Sequence, residues 1–162
     1  MRRFTKVQFK RRLRTRTDYE ARKDLLSGEV PRLVIRKTNR YMMAQIVNSK
    51  NGQDMVVSTT TSRELPAYGF PETFSMKNLA AAYLTGFLAA SKSKKSVKKA
   101  VLDIGMLKST KGNRLYAALR GAVDAGLDIP HSKEILPSME DIKSKTKADI
   151  DKVTAKIKEN FK

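Results

Sequence analysis

The sequence predicts a mixed α/β fold with the element order βββαβα, preceded by a basic arm and a helix and followed by a helical extension. Three observations predict this order. Residues 32–60 show strand patterns separated by turn signals, residues 75–90 carry apolar side chains at helical spacing, and a short apolar run follows at residues 100–104. A helix between the third and fourth strands indicates a crossover, and therefore a sheet with both antiparallel and parallel pairs.

The first sixteen residues form a basic arm. They carry eight basic side chains and no acidic one, and their apolar residues follow no regular spacing. We therefore expect residues 1–16 to be extended or disordered until they bind a polyanion. The basic residues of the arm are Arg2, Arg3, Lys6, Lys10, Arg11, Arg12, Arg14 and Arg16.

A short helix is predicted next, because Thr17 and Glu20 have the spacing of a capping box. Gly28 is expected to end this helix, since glycine is the residue most often found just after a helix. We expect the apolar side chains of the helix to face the core. These are Ala21, Leu25 and Leu26.

The first predicted strand covers residues 32–37, where basic and apolar side chains alternate. This alternation predicts one apolar face, formed by Leu33 and Ile35, and one basic face. Asn39-Arg40 predicts a tight turn after the strand.

Two further strands are predicted at residues 41–47 and 55–60. Asn51-Gly52 between them is a strong hairpin signal, because these residue types tolerate the positive φ of a tight hairpin turn. Residues 55–60 are rich in β-branched side chains, which favour strands. The first three strands would therefore pair antiparallel.

The second half of the domain is predicted to be mainly helical. Proline and glycine residues indicate a loop at residues 65–73, and a helix with one wide apolar face follows at residues 75–90. Residues 100–104 form the short fourth strand. The last helix of the domain covers residues 113–125, and Gly126 ends it.

Residues 138–162 have the pattern of a separate amphipathic helix. Ser138 and Asp141 have the spacing of a capping box. The apolar stripe is thin, so we expect an extension outside the core, and we divide the chain at residues 1–16, 17–137 and 138–162. The stripe consists of Ile142, Ile150, Val153, Ile157 and Phe161.

Charge limits the function classes more than length does. The 162 residues include 34 Lys and Arg against 16 Asp and Glu, a formal net charge of +18. An excess this large predicts a polyanionic partner, either nucleic acid or an anionic membrane surface.

The absence of cysteine excludes a disulfide framework, a zinc ribbon and a thiol nucleophile. The basic N-terminus lacks the apolar run of a secretory signal, and the longest apolar stretch, residues 79–90, is too short to span a bilayer, so we expect a soluble protein.

Besides the arm, the turn after the first strand is a candidate RNA contact, since arginine binds phosphate bidentately and Thr or Asn reaches sugars or base edges. Tyr41 beside the turn either stacks on an unpaired base or belongs to the core. The candidate residues are Arg36, Lys37, Thr38, Asn39 and Arg40.

Two other basic segments allow alternative interpretations. Five lysines follow the long helix between residues 92 and 99, where they either complement the helix dipole or bind RNA. The sequence KSTKGNR at residues 108–114 leads into a helix, and it predicts either a phosphate contact or a capping loop built on Asn113. It does not have the residue order of a P-loop.

Catalytic chemistry has little support in the sequence. Asp103, Asp124, Asp128 and Glu64 are the candidates for a metal-dependent nuclease, which needs clustered carboxylates. His131 is the only histidine and lies in a predicted loop. We therefore expect a protein that is not an enzyme, with no cofactor and no metal site.

Five segments of the sequence resemble the family of archaeal-type large-subunit ribosomal protein eighteen. This 5S-rRNA-binding family is related to the longer eukaryotic cytosolic 5S-binding ribosomal protein, and the similarity covers roughly residues 10–137. The segments are TDYEARKDLLSG, PRLVIRKTNRY, TSRELPAYGF, AAYLTGFLAA and VLDIGMLKSTKGNRLYAALRGAVDAGLDIPHS, in this order along the chain.

The resemblance implies an α/β sandwich of the translational-machinery type and a cytoplasmic place in the central protuberance of the large ribosomal subunit. It implies 5S rRNA, large-subunit rRNA and neighbouring ribosomal proteins as partners, and no membrane. The positions that match the family's RNA contacts are the arm up to Arg16, and Arg32, Arg36, Lys37, Thr38, Asn39, Arg40, Ser62, Arg63, Thr110, Lys111, Gly112, Asn113 and Arg114.

Three alternative functions remain from the sequence. A general RNA- or DNA-binding protein would hold any polyanion alike. A carboxylate–metal nuclease would use Asp103. A membrane-surface protein would need an amphipathic period, which the basic arm lacks.

Overall fold

Four strands form a mixed sheet at the centre of the protein. Strand β1 covers Arg32–Lys37, β2 covers Met42–Lys50, β3 covers Gln53–Thr61 and β4 covers Val101–Asp103. Their spatial order is β3-β2-β1-β4. The computed structural model describes residues 8–50, 52–144 and 149–161.

The pairing of the strands confirms the predicted mixed sheet. Strands β1 and β2 are antiparallel, with Arg32 opposite Val47 and Lys37 opposite Met42. Strands β1 and β4 are parallel, with Arg32 opposite Val101. The connection from β3 to β4 is therefore the crossover that the sequence predicts.

Six α-helices and two short 3-10 helices complete the described residues. The 3-10 helices cover Ser62–Tyr68 and Lys133–Ile135. The α-helices are α1 (Lys10–Leu13), α2 (Tyr19–Ser27), α3 (Leu79–Ser93), α4 (Arg114–Asp124), α5 (Met139–Ser144) and α6 (Ile150–Asn160).

Helix α3 lies at the centre of the hydrophobic core. It is buried on nearly all sides and contacts β2, β3, α4 and α6. A helix that is apolar all round must be enclosed by other elements, because any exposed side would leave apolar surface in water. Leu33, Ile35 and Ile46 of the sheet, and Leu115 and Leu119 of α4, belong to the same core.

Helices α3 and α4 approach each other backbone to backbone at two glycines. A Cβ on Gly86 would overlap the carbonyl group of Ala118, and a Cβ on Gly121 would overlap the carbonyl group of Tyr83. Only a residue without a side chain fits at either position. Nearby, the hydroxyl group of Tyr83 donates a 2.9 Å hydrogen bond to the carboxylate of Asp124 at the end of α4.

Strand β3 is an edge strand whose residues after Asp54 form an apolar and uncharged stretch. Met55, Val56 and Val57 are exposed, and residues 55–61 carry no charged side chain. A register shift opposite Ile46 and Val47 introduces a bulge in the pairing with β2. Within the described residues, no strand pairs with the outer edge of β3.

The predictions for the arm and the first helix need two corrections. The arm is helical at Lys10–Leu13, because Phe9 packs on Tyr19 with 5.2 Å between ring centroids and folds the arm back. Asp18, not Thr17, caps α2, since its carboxylate accepts from two backbone N–H groups while the Thr17 hydroxyl accepts from Arg11. Residues 1–7, with the predicted contacts at Arg2, Arg3 and Lys6, lie outside the described residues.

Helix α2 does not pack into the core as predicted. Ala21 is exposed, and Leu25 and Leu26 are half-buried. The helix stands off the sheet over an open cavity of about 780 Å³, which lies between α2, β4 and residues 104–107.

The boundaries around α3 also differ from the predicted ones. Part of the predicted loop at residues 65–73 is a 3-10 helix, which a capping box of Thr61 and Glu64 starts at Ser62. Helix α3 begins at Leu79 rather than residue 75, because the Asn78 side chain caps it by accepting from the backbone N–H of Ala81.

The predicted C-terminal helix is two helices, and these belong to the core. Asp149 has a non-helical backbone with ψ 84°, so α6 starts afresh after α5. The predicted capping box of Ser138 and Asp141 is confirmed, with 3.0 Å from the Asp141 backbone nitrogen to the Ser138 hydroxyl oxygen. The expectation of an extension outside the core is wrong, because four stripe residues are buried against α3 and its neighbours. They are Ile142, Ile150, Val153 and Ile157.

We expect Gly86→Ala to lower the free energy of unfolding by about 3 kcal/mol, because its Cβ has to displace the backbone of α4. Urea denaturation followed by circular dichroism measures this change. Gly28→Ala is the matched control, since its Cβ makes only an ordinary contact at 3.9 Å with Val30 and its φ of −81° suits alanine. A Gly86 variant as stable as the control would contradict the close helix approach.

Candidate nucleic-acid interface

The turn between β1 and β2 is held by one threonine. The Thr38 hydroxyl group donates to the carbonyl oxygen of Tyr41 and accepts from the Tyr41 backbone N–H, both at 2.9 Å. Asn39 and Arg40 at the tip are exposed. Thr38 therefore shapes the turn, while Asn39 and Arg40 present their side chains at the surface.

Tyr41 is half-buried and is covered on one face by an arginine. The Arg63 guanidinium carbon lies 4.0 Å from the centroid of the Tyr41 ring, within cation–π distance. Arg63 is exposed, so it extends the cationic surface next to the turn. Ser62 is fully buried instead, and its hydroxyl oxygen accepts from the backbone N–H of Met42 at 3.2 Å.

The loop at residues 108–114 is shaped by the cap of α4. The Asn113 carboxamide oxygen accepts from the backbone N–H groups of Leu115 and Tyr116 at 2.8 and 3.1 Å. The capping interpretation of this asparagine is therefore confirmed. Gly112 has a positive φ of 68°, and its backbone N–H donates to the carbonyl oxygen of Ile135. The basic side chains of this loop are exposed at Lys108, Lys111 and Arg114.

The end of β1 and the loop meet at one groove, although they are about 70 residues apart in the sequence. Lys37 on one side and Lys108 and Arg114 on the other line an open cavity of about 420 Å³. Among the residues that line this groove none is acidic. Three cations with no acidic residue among the described residues of the lining favour an anionic ligand such as phosphate.

Arg32 faces inward and forms a charge network with two carboxylates. Its guanidinium group is 3% exposed and donates to Asp103 at 2.9 Å and to Asp54 at 2.8 Å. Its Nε atom has no hydrogen-bond partner in the described part of the chain. The predicted RNA contact at Arg32 would require the side chain to leave both pairs, which is costly for a buried charge.

Asp54 connects three segments of the network. Its carboxylate accepts from Arg22 of α2, from Arg32 of β1 and from the Ser49 hydroxyl at 2.6 Å. Burial raises the pKa of Asp54, but the Ser49 hydrogen bond and the positive charges of Arg32 and Arg22 outweigh it, so the pKa lies below its usual value. Sequence reasoning missed Asp54 and Arg22, because their partners are distant along the chain.

Arg36 is placed at the surface end of the same network. Its side chain is 39% exposed, and Nη2 donates to the Asp103 carboxylate at 2.9 Å. Its Nη1 donates to the carbonyl oxygens of Asp103 and Ile35 at 2.8 and 2.9 Å. Arg36 also lines the open cavity under α2, together with Arg11 and Arg16 of the arm.

The five lysines between residues 92 and 99 differ in whether they pair with a carboxylate. Lys92 donates to Glu64 at 2.5 Å, and Lys99 lies 3.8 Å from Asp128. Lys94, Lys95 and Lys98 are exposed. Exposed lysines near the end of a helix are compatible with both the helix-dipole interpretation and RNA contact, so both stay predictions.

The carboxylates that the nuclease alternative requires are not brought together. Asp103 pairs with arginines of β1, Asp124 with Tyr83 and Arg120, Asp128 with Lys99, and Glu64 with Lys92. Over residues 8–50, 52–144 and 149–161, no group of three or more acidic, histidine or cysteine side chains is placed to hold a metal ion. His131 is exposed, with Nδ1 2.6 Å from the carbonyl oxygen of Ile129.

No helix in the described ranges is both long and apolar enough to cross a membrane.

The family model described as "Ribosomal large subunit proteins 60S L5, and 50S L18" matches residues 2–100 and 90–132. The chain belongs to this family of ribosomal large-subunit proteins. The predicted family and the mixed α/β fold are thus confirmed.

Curated relatives agree with the family model. The chain is 52% identical over 139 residues to a large ribosomal subunit protein uL18 of Korarchaeum cryptofilum, covering 85% of this chain and 70% of the relative. It is 45% identical over 138 residues to uL18 of Methanoregula boonei (85% and 78% covered) and 43% identical over 145 residues to uL18 of Methanococcoides burtonii (89% and 83% covered).

We expect Asp54→Asn to lower the melting temperature at about pH 7, with a difference from the wild type that shrinks as the pH falls below about 4. A carboxyl group with a depressed pKa in the folded state stabilises the fold above its unfolded-state pKa. This stabilisation is lost as the pH falls through the folded-state pKa. Circular dichroism melting of both proteins between about pH 7 and pH 3 measures the difference.

The matched control is Asp128→Asn, because Asp128 is exposed and its cation is 3.8 Å away. We expect this control to melt like the wild type at every pH. A difference for Asp54→Asn that stays constant down to about pH 3 would show that the charge of Asp54 is not what stabilises the fold.

Proposed function

We propose that this protein is a structural constituent of the large ribosomal subunit that binds 5S rRNA and attaches it to the large-subunit rRNA of the central protuberance. The relatives named as large ribosomal subunit protein support the first part. The net charge of +18 supports a ribonucleic acid as the main partner. On this proposal the protein acts in the cytoplasm, within the assembled subunit and without catalysis.

The groove between Lys37 and the loop at residues 108–114 carries the proposal. It joins two segments that sequence reasoning selected independently, and it presents cations with no acidic residue among its described lining residues. A folded RNA offers such a groove a phosphate backbone, while Asn39 and Arg40 at the exposed turn reach sugar or base edges. The rigid sheet holds these groups in place, which favours one folded RNA over an unstructured polyanion.

The predicted contact residues divide into two groups in this proposal. Cationic and polar side chains at the surface contact RNA directly, whereas buried or capping residues hold the contact surface in shape. The shaping residues are Arg32, Thr38, Ser62, Gly112 and Asn113. The direct contacts are Lys10, Arg11, Arg12, Arg14, Arg16, Arg36, Lys37, Asn39, Arg40, Arg63, Thr110, Lys111 and Arg114.

We expect the purified protein to bind 5S rRNA at least roughly tenfold more tightly than tRNA at each salt concentration from about 50 to 200 mM. Competition filter binding measures this preference. Equal affinity for 5S rRNA, tRNA and duplex DNA would favour the general nucleic-acid-binding alternative and contradict the proposal.

Arg36→Ala combined with Lys37→Ala is expected to weaken 5S rRNA binding by at least about tenfold, because two phosphate-facing cations are lost. Lys143→Ala combined with Lys152→Ala is the matched control. It removes the same charge from α5 and α6, where both lysines are paired with aspartates. Thermal melting confirms that each variant is folded, and unchanged affinity of the folded hairpin variant would remove the hairpin from the interface.

A further inference from the structure

We infer that Asp103 is a positioning residue for RNA binding: its buried carboxylate orients the Arg36 guanidinium group toward the RNA. This inference rests on the proposed function, since it assigns a role to the partner of Arg36, one of its direct RNA contacts. It gives an acidic side chain a favourable effect on the binding of a polyanion, which is the opposite of what its charge alone predicts.

The Asp103 carboxylate is enclosed by three donors. Its Oδ2 accepts from Arg32 and its Oδ1 accepts from Arg36, both at 2.9 Å, and Oδ1 also accepts from the backbone N–H of Gly105 at 2.9 Å. The Asp103 side chain is 9% exposed. Because Arg32 is buried on one side, the carboxylate has a fixed position, and Arg36 is held against a fixed anchor.

The geometry leaves part of Arg36 available. A guanidinium group has five N–H donors, and the structure pairs three of them, two on Nη1 and one on Nη2. The remaining two are on Nε and Nη2, and they find no acceptor within the residues that the structure describes. These two donors form one edge of the planar group, which is the arrangement that binds two phosphate oxygens at once.

The Arg36 guanidinium group packs against Gly105. A Cβ at this position would lie 3.1 Å from both the Cζ and the Nη2 of Arg36, closer than ordinary contact. Gly105 also has a φ of +60°, in the region that favours glycine. The flat guanidinium group therefore lies directly against the Gly105 backbone, with Asp103 fixing its in-plane orientation.

An orienting carboxylate and a merely repulsive one predict opposite results. If Asp103 only added negative charge near the RNA, Asp103→Asn would strengthen binding by removing repulsion. If Asp103 orients Arg36, the same substitution weakens binding, because the guanidinium group has to be ordered when the RNA arrives. The sign of the change therefore decides between the two roles.

We expect Asp103→Asn to weaken 5S rRNA binding by roughly fivefold or more, although the net charge rises by one. Because this substitution also leaves the buried Arg32 with a neutral partner, a second variant is needed that keeps this pair. Gly105→Ala changes no charge and displaces the guanidinium group of Arg36 directly, so we expect a loss of similar size. Filter binding with 5S rRNA measures both, after melting curves have established that each variant is folded.

Gly126→Ala is the matched control for backbone strain. Gly126 has a φ of +104°, and a Cβ there would meet no atom within 4 Å, so the substitution strains the backbone without moving a cation. We expect its RNA affinity to equal that of the wild type. A loss in Gly126→Ala as large as that in Gly105→Ala would attribute the effect to strain and overturn the inference.

A double-mutant cycle separates positioning from general damage to the fold. In a protein that already carries Arg36→Ala, we expect Asp103→Asn to cause no further loss of affinity, because there is no guanidinium group left to orient. An additional loss of the same size in that background would overturn the inference, since Asp103 would then act independently of Arg36.

The outcomes for the inference and for the proposed function are distinct. A wild-type protein that does not prefer 5S rRNA over tRNA contradicts the proposed function and, with it, the inference. A wild-type protein that prefers 5S rRNA, together with folded Asp103 and Gly105 variants that bind as tightly or more tightly, overturns the inference alone.

Discussion

The backbone contact between α3 and α4 determines the position of much of the remaining structure. Gly86 and Gly121 allow each helix to touch the carbonyl groups of the other, so the pair cannot slide or rotate without a clash. Helix α4 begins at Arg114, the last residue of the loop at residues 108–114, and the crossing therefore sets the position of this loop beside β1. The groove at Lys37 thus depends on two residues that have no side chain.

Most of the fold was predictable because its signals are local. The strands follow from alternation and turn residues, and α4 follows from the cap at Asn113 and its apolar spacing. The core role of α6 was not predictable from its thin stripe of Ile150, Val153 and Ile157. That role arises from α3, which is apolar on all sides and has to be covered, so the reason lies in a different part of the chain.

The sequence was enough to predict which segments form the candidate interface. It was not enough to predict which of their side chains are buried and which can contact RNA. Clustered cations in the sequence indicated the turn and the loop. Arg32 and Arg36 look alike in an alternating strand, yet Arg32 is buried by Asp54 and Asp103, which are 22 and 71 residues away. No local pattern encodes partners at such distances. Which cations stabilise the fold and which remain for RNA is therefore decided only in the tertiary structure.

The uncharged stretch of the outer strand, residues 55–61, affects how the protein behaves in solution without its partner. Along its outer edge, with which no described strand pairs, β3 presents backbone groups and apolar side chains, a combination that allows the sheets of two molecules to join. Residues 55–61 carry no charge that would oppose such pairing. Association is therefore opposed by the long-range repulsion between two molecules that each carry a formal net charge of +18. At about 1 M salt the Debye length shrinks to roughly 3 Å. Removing RNA with concentrated salt therefore also screens the electrostatic repulsion that keeps the protein molecules apart.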